Sequence, residues 1–508
     1  MINSDAYRVY EKYTDKETFS KIVDFANITE MWEHSVKEYG DKSAVVDGAD
    51  YTYSALNAEV GAFRTVLKNV GVKAGDAVGI LAPNSVGAIK AYLAVNTYGA
   101  VAVLLPTHLD AMTVFGCSMK FGLKAIVYDA SLEASVAFAR EKNPALALID
   151  VAATAEEVTA SVSPDTSSLS TVIFTGGTTG KSKGAKLSHR AVMYGVKNGC
   201  YGYRDVFEQR YFLVLPLTHV FGLIRNTLTS LYTGSSLFIC RNPKNMFKDI
   251  AVHRPTIMIF VPALAEMALN LSRQFGRNML GEDMKTIICG AAPVPPYLVR
   301  EYAKFGISVL PGYGLTESAN LVSGNPEAMA KPESVGLIYP GMEYKTVDGE
   351  LWLKGVNMMD GYFGDEENAV AYEDGWFKTG DLVRFDEDGY LYITGRIKEI
   401  IVLSSGENIS PAELEVQFYA LDGVQDCFVY DITEDGVQQL VLEVVPRMTA
   451  LKAMGIEDVG AYLTEKINEV NNKLPAFEKI NKIIIRDTDF VRTPAMKIAR
   501  QENGTLKK

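Results

Sequence analysis

Eleven residues, Phe174-Thr-Gly-Gly-Thr-Thr-Gly-Lys-Ser-Lys-Gly184, hold four glycines, three threonines and two lysines behind a largely apolar run, 169–174. Glycines let backbone N–H groups approach an anion closely, hydroxyls add donors, and lysines add charge. This is the chemistry of a loop that grips phosphates. A Walker loop ending at Gly180-Lys181-Ser182 needs glycine at position 175, where the chain has Thr175. The residues after the loop also do not read as a helix opening directly on it. The loop points to a nucleoside triphosphate and away from P-loop kinases and ATPases.

Further segments carry compatible chemistry. In Pro311-Gly-Tyr-Gly-Leu-Thr-Glu-Ser318, Tyr313 can stack on a purine, Thr316 can donate to a phosphate and Glu317 can hold Mg²⁺ against phosphate oxygens. Trp376-Phe-Lys-Thr-Gly-Asp381 ends in a carboxylate at a glycine turn, suited to ribose hydroxyls, with Arg396 close behind. Near the end, Arg492-Thr-Pro-Ala-Met-Lys497 offers a lysine that can meet developing negative charge.

The elements that must position these residues are read from apolar periodicity. Helical spacing is expected over 28–40, 85–98, 109–121, 219–233, 243–253, 262–274 and 294–305. Short apolar strands are expected over 100–105, 124–128, 211–215, 235–240, 256–260 and 284–289. Such alternation predicts an α/β fold of parallel sheets flanked by helices. From about 333 the texture changes to alternating strands with Gly-Asp turns, a β-rich subdomain. A boundary near 395–398 precedes a compact α+β unit, with helices at 411–420 and 458–473 and strands at 424–431, 437–445 and 481–485. The expected division is a large domain over 1–395 and a small one over 399–508.

Composition narrows the classes. At 508 residues the chain exceeds one hydrophobic core. Its 48% hydrophobic and 22% charged residues suit a globular protein, and no apolar run is long enough for a transmembrane segment. The first residues lack the apolar core of a secretory signal, and five scattered cysteines suit a reducing cytoplasm and argue against structural zinc. A net charge of −12 argues against nucleic-acid binding, so an anionic ligand must be held by local devices.

Taken in order, the loop, Leu215-Pro-Leu-Thr-His-Val-Phe-Gly222, Gly290-Ala-Ala-Pro293, Gly312–Ser318, Gly349-Glu-Leu, Gly361-Tyr-Phe, Thr379-Gly-Asp381, Gly395-Arg-Ile-Lys-Glu and the Lys497 tail resemble the adenylate-forming superfamily of AMP-dependent acyl-CoA synthetases, firefly luciferase and peptide-synthetase adenylation domains. The resemblance runs from about residue 28 to 501. It implies a two-step ligase: ATP activates a small-molecule carboxylic acid as an acyl-adenylate with release of pyrophosphate, and a thiol then displaces AMP. It implies ATP, Mg²⁺ and coenzyme A, with a carrier-protein pantetheine thiol as the alternative acceptor. A non-catalytic nucleotide-binding protein is the other alternative.

The resemblance also implies residue roles. Thr175, Gly176, Gly177, Thr178, Thr179, Gly180 and Lys183 would hold the β- and γ-phosphates. Gly290, Ala291 and Ala292 would line the adenine pocket, with Tyr313 against the base. Thr316 would touch the α-phosphate, Glu317 would coordinate Mg²⁺, and Asp381 and Arg396 would bind ribose. Lys497 would bridge the substrate carboxylate and the α-phosphate. The small, mobile domain would swing about Lys398, within a hinge at 396–398, and bring Gly406 to the pantetheine tunnel. His219, Val220, Phe221, Val261 and Gly314 would line the acyl pocket, His219 also standing among the catalytic residues. Against the family pattern, Gly176 replaces a usual serine, Ser182 a usual proline, and Met496 the glycine before the lysine. The start of the helix at 219 lacks the aspartate that amino-acid activators use, which favours an acyl or aryl acid. Arg225, six residues after His219, is expected on a solvated helix face, with a second substrate carboxylate as the other reading.

Overall fold

Strands such as Val101–Leu104 and Ile257–Phe260 bury every side chain, which requires a sheet covered on both faces. The computed structural model, which describes residues 9–175, 183–202, 205–363, 365–403, 407–434, 437–492, 498–500 and 502–506, contains two such sheets. One has six strands in the order Ala147–Asp150, Ala125–Tyr128, Ala77–Leu81, Val101–Leu104, Leu169–Thr175 and Lys183–Ser188. The first five are parallel, and the last returns antiparallel as a hairpin partner. In the other, six parallel strands run in the order Ser308–Leu315, Thr286–Cys289, Ile257–Phe260, Arg210–Leu213, Ser236–Ile239 and Ser43–Val46. Antiparallel strands extend both of its edges.

Helices cover these sheets where the apolar spacing placed them. Asn27 caps Ile28–Tyr39 by accepting from the Glu30 N–H. Helix Val86–Thr97 buries ten of its twelve residues, as a helix packed on several sides must. Helices Tyr53–Asn69, Glu133–Lys142 and His189–Asn198 add to the expected set.

The segment expected as a helix over 219–233 is π-helical over Phe221–Leu228 and α-helical only over Thr229–Tyr232. Two features favour the wide turns. Gly222 packs against the preceding chain, where a Cβ would lie 2.2 Å from the Pro216 carbonyl oxygen. The hydroxyls of Thr227 and Thr229 donate to the carbonyls five residues back, Gly222 and Ile224, at 2.9 and 2.8 Å.

The β-rich part is an antiparallel sheet of Met342–Val347, Glu350–Gly355, Tyr372–Glu373, Trp376–Phe385 and Leu391–Arg396. The smaller C-terminal domain has its own core, including Leu414, Phe418, Leu442, Leu463 and Ile467. There strand Val437–Pro446 pairs antiparallel with Val424–Glu434 and parallel with Lys482–Ile485, beside helices Pro411–Tyr419 and Val459–Asn471. Among the described residues no helix is long and apolar enough to cross a membrane.

Candidate active site

In open parallel sheets, ligands bind beyond the carboxyl ends of the strands, and the candidate residues gather there. Val261 follows strand Ile257–Phe260, Gly290 to Ala292 follow Thr286–Cys289, and Thr316 and Glu317 follow Ser308–Leu315. The backbones meet closely. A Cβ on Gly290 would lie 2.8 Å from the Gly312 carbonyl oxygen and 3.5 Å from the Phe221 ring, and one on Gly314 would lie 2.1 Å from the Asn320 carbonyl oxygen. Glycine is required at both positions by space.

At the loop end of the cluster, Thr175 and Lys183 face each other as partners in the hairpin Leu169–Thr175 and Lys183–Ser188. Gly176, Gly177, Thr178, Thr179 and Gly180 lie outside the described residues. The returning strand pairs with the Gly361-Tyr-Phe segment: Lys186 N–H donates to Gly361 O at 2.9 Å, and Phe363 N–H to Gly184 O at 3.0 Å. Tyr362 is thereby brought to Glu317, its hydroxyl donating to Oε1 at 2.5 Å. The Lys183 ammonium sits 4.9 Å from the centre of the same ring. Burial, then the neighbouring Glu317 carboxylate, pushes the Tyr362 hydroxyl pKa upward, so it stays a donor. Met359 N–H donates to the Glu317 carbonyl at 2.7 Å and fixes the turn from the other side.

At the other end, Tyr313 and Arg396 converge on Asp381. The Tyr313 hydroxyl donates to Oδ2 and Arg396 Nε to Oδ1, both at 2.5 Å. Asp381 and Arg396 are direct cross-strand partners, which explains why residues fifteen apart meet. Burial works against the Arg396 charge, but Asp381 outweighs it and raises the guanidinium pKa. Burial, then Asp381, raises the Tyr313 pKa. The turn before Asp381 is held by Glu350, whose Oε1 accepts from Gly380 N–H at 2.7 Å and whose Oε2 accepts from Trp352 Nε1 at 2.8 Å. Gly380 has φ +72°, a left-handed conformation that suits glycine.

His219 precedes the π-helical segment, and its Nδ1 accepts from Phe221 N–H at 3.2 Å. A neutral imidazole so engaged carries its proton on Nε2. Val220, Phe221 and Val261 are buried. Arg225 corrects the expectation of a solvated face: it is 1% exposed, because the segment that carries it is enclosed on every side.

Lys398 is exposed in the single 3₁₀ turn Ile397–Glu399 that joins the β-rich sheet to the small domain. Gly406 and Lys497 lie outside the described residues. Two residues that do structural work at the site were quoted in the sequence only as parts of motifs, Tyr362 and Glu350. Their signal was position, an aromatic inside Gly361-Tyr-Phe and a carboxylate inside Gly349-Glu-Leu. Among the described residues there is no cluster of three or more His, Cys, Asp or Glu side chains able to hold a metal by themselves.

A family model described as "AMP-binding enzyme" matches residues 32–363, and one described as "AMP-binding enzyme C-terminal domain" matches residues 398–505. The chain is similar to peroxisomal OPC-8:0-CoA ligase 1 of Arabidopsis thaliana, 29% identical over 66% of this chain and 64% of that protein. It is also similar to 4-coumarate–CoA ligase-like 8 of the same plant, 30% identical over 65% and 62%. The chain thus spans less than two thirds of the length of these curated relatives. Among solved structures it resembles an anthranilate CoA ligase in complex with anthranoyl-AMP, with TM-score 0.83, 20% identity, and 94% and 96% of the two chains covered. It also resembles o-succinylbenzoate CoA synthetase from Bacillus subtilis in complex with its acyl-adenylate intermediate, with TM-score 0.76, 25% identity, and 93% and 97% covered.

Proposed function

Because the chain belongs to the AMP-binding enzyme family, we propose that it is an AMP-forming acid–thiol ligase acting on a small carboxylic acid, ATP and coenzyme A. One observation carries the reading. The nucleoside cluster of Tyr313, Asp381 and Arg396 and the phosphate cluster of Glu317, Tyr362 and Lys183 are joined by the four-residue step from Tyr313 to Glu317, with Thr316 between. A nucleotide laid along that step has its base at Tyr313, its ribose at Asp381 and Arg396, its α-phosphate at Thr316, and its outer phosphates between Thr175 and Lys183.

In the first half-reaction a carboxylate oxygen attacks the α-phosphorus and the bond to the β-phosphate oxygen breaks, releasing pyrophosphate. In the second, a thiolate attacks the acyl carbon and the bond to the AMP oxygen breaks. Negative charge gathers on the phosphates in the first step, so positioning and cationic donors do most of the catalytic work. Glu317, with one oxygen engaged by Tyr362, suits Mg²⁺, which takes one or two carboxylates together with substrate phosphates. The ion would neutralise phosphate charge. His219, through Nε2, and Lys497 orient the acid, whose apolar part lies against Val220, Phe221, Val261 and Gly314.

We assign the large domain to 1–395, the hinge to 396–398 around Lys398, and the small domain to 399–508, with Gly406 facing the pantetheine arm. Five free, buried cysteines support a reducing compartment, the cytoplasm. The test is the Lys497→Ala variant assayed in both half-reactions. It is expected to lose adenylate formation yet form thioester from supplied acyl-adenylate; equal loss in both would remove Lys497 from this role. Supplying coenzyme A or a pantetheinylated carrier in the thioester assay separates the two acceptors.

A further inference from the structure

Helices Pro262–Phe275 and Pro296–Ala303 begin just beyond the site, one directly after Val261 and the other four residues after Ala292. Their opposite connection is to the small domain. Arg447, at the end of strand Val437–Pro446, is 4% exposed and reaches into the large domain. Its Nη2 donates to Glu266 Oε1 at 3.2 Å, and its guanidinium carbon lies 4.0 Å from the centre of the Tyr297 ring. The Tyr297 hydroxyl donates to the same Glu266 oxygen.

Both sides of this contact are tied to their own domains by hydrogen bonds. Arg447 N–H donates to Gly423 O at 2.6 Å, and the Arg447 carbonyl accepts from Ala450 and Leu451 N–H, both at 3.1 Å. Across the interface, the Tyr302 hydroxyl donates to Ala265 O at 2.6 Å and ties the two large-domain helices together. A guanidinium stacked on an aromatic ring and hydrogen-bonded to a carboxyl is a strong, directional contact once desolvated. Losing one member strands a buried polar partner. Glu266 also stands near the end of strand Thr286–Cys289, close enough to act on the buried Cys289 thiol, the residue before Gly290.

We propose that Arg447, Glu266 and Tyr297 form an inter-domain clamp that holds the small domain in one of its two working orientations, making Arg447 a positioning residue for one half-reaction. Rotation about the 396–398 turn must break both Arg447 contacts together, while the Tyr297–Glu266 hydrogen bond stays within the large domain, so the clamp sets how the chain divides its time between orientations. Its catalytic consequence rests on the two-step ligase reading; its effect on domain position does not.

The test places spin labels on the full chain at Phe275 and Val437, which are 58% and 59% exposed on the large and small domains, and measures their separation without substrate. The wild type is expected to show one dominant distance. Arg447→Met and Glu266→Ala are expected to shrink that population by about tenfold relative to the alternatives, and Arg447→Lys to restore part of it. In activity, Arg447→Met is expected to change the ratio of pyrophosphate exchange to thioester formation from supplied adenylate. Distance distributions that match the wild type in Arg447→Met and Glu266→Ala overturn the clamp, and an equal change in both half-reactions overturns the role of Arg447 as a positioning residue for one of them. Should Arg447→Met fold poorly, Tyr297→Leu, which removes the ring stacked on Arg447, is expected to give a smaller shift in the same direction, and no shift overturns the proposal. Absence of exchange with any acid contradicts the ligase reading and leaves the distance measurement intact.

Discussion

Tyr362 touches both charged members of the proposed phosphate cluster, donating to Glu317 and lying under Lys183. A hydrogen bond to a charged group contributes about 1.5–3 kcal/mol. Tyr362→Phe is therefore expected to slow adenylate formation by roughly ten- to a hundredfold and to raise the Mg²⁺ concentration giving half-maximal rate. An unchanged Mg²⁺ dependence would show that the hydroxyl does not hold Glu317 in place. Glu317, Asp381 and Arg396 were legible in the sequence because each stands next to a glycine turn or in an ordered motif. Tyr362 was not, since an aromatic between glycine and phenylalanine reads equally well as packing. Arg225 was misplaced for a related reason. Its neighbours looked like one face of a regular helix, and the π-helical segment instead buries every residue from Phe221 to Leu228.

The elements supply the precision those side chains need. Gly314 runs so close to the Asn320 carbonyl that a methyl group has no room, whereas Gly380 has nothing within 4 Å of its missing Cβ and only its φ of +72° to satisfy. Gly314→Ala is expected to destabilise the large domain by about 1–3 kcal/mol, while Gly380→Ala costs about 1 kcal/mol of backbone strain. Urea unfolding of the two variants orders them, and the reverse order would contradict the close-packed strand-end account. Helices with a clear apolar stripe or a cap, such as Ile28–Tyr39 behind Asn27 and Pro262–Phe275 behind its proline, were readable to within a residue or two. The strand Lys183–Ser188 was not, because its sequence reads as the tail of the loop and only pairing with Leu169–Thr175 makes it a strand.

At the scale of the whole molecule, the two domains meet through groups 181 residues apart, Glu266 and Arg447, which no local pattern could have linked. Burial raises the Glu266 carboxyl from 4.5 to about 8 in this orientation, partly opposed by Arg447. Also facing it are Asp426, Arg492 and Cys427 of the small domain and Cys289, Tyr297 and Tyr302 of the large one. Where rotation of the small domain brings water to Glu266, its carboxyl moves down toward the ordinary carboxylate range, so the clamped orientation binds an extra proton between those two values. A group whose pKa is raised stabilises its state fully below the lower value and loses that effect as pH rises through the upper one. The clamped population is expected to fall from pH 6 to pH 8 in the labelled chain. Glu266→Gln, which cannot ionise, is expected to flatten the slope, and a slope that persists in it would assign the proton elsewhere.

The residues gathered at the strand ends are proposed to make an acyl-adenylate. The most direct measurement is exchange of labelled pyrophosphate into ATP across a panel of aryl, fatty, short-chain and dicarboxylic acids. Exchange is expected to depend on both Mg²⁺ and one class of acid, and to be lost in Lys497→Ala. Tight ATP binding with no acid-dependent exchange would contradict it and mark the chain as a nucleotide-binding protein without ligase chemistry.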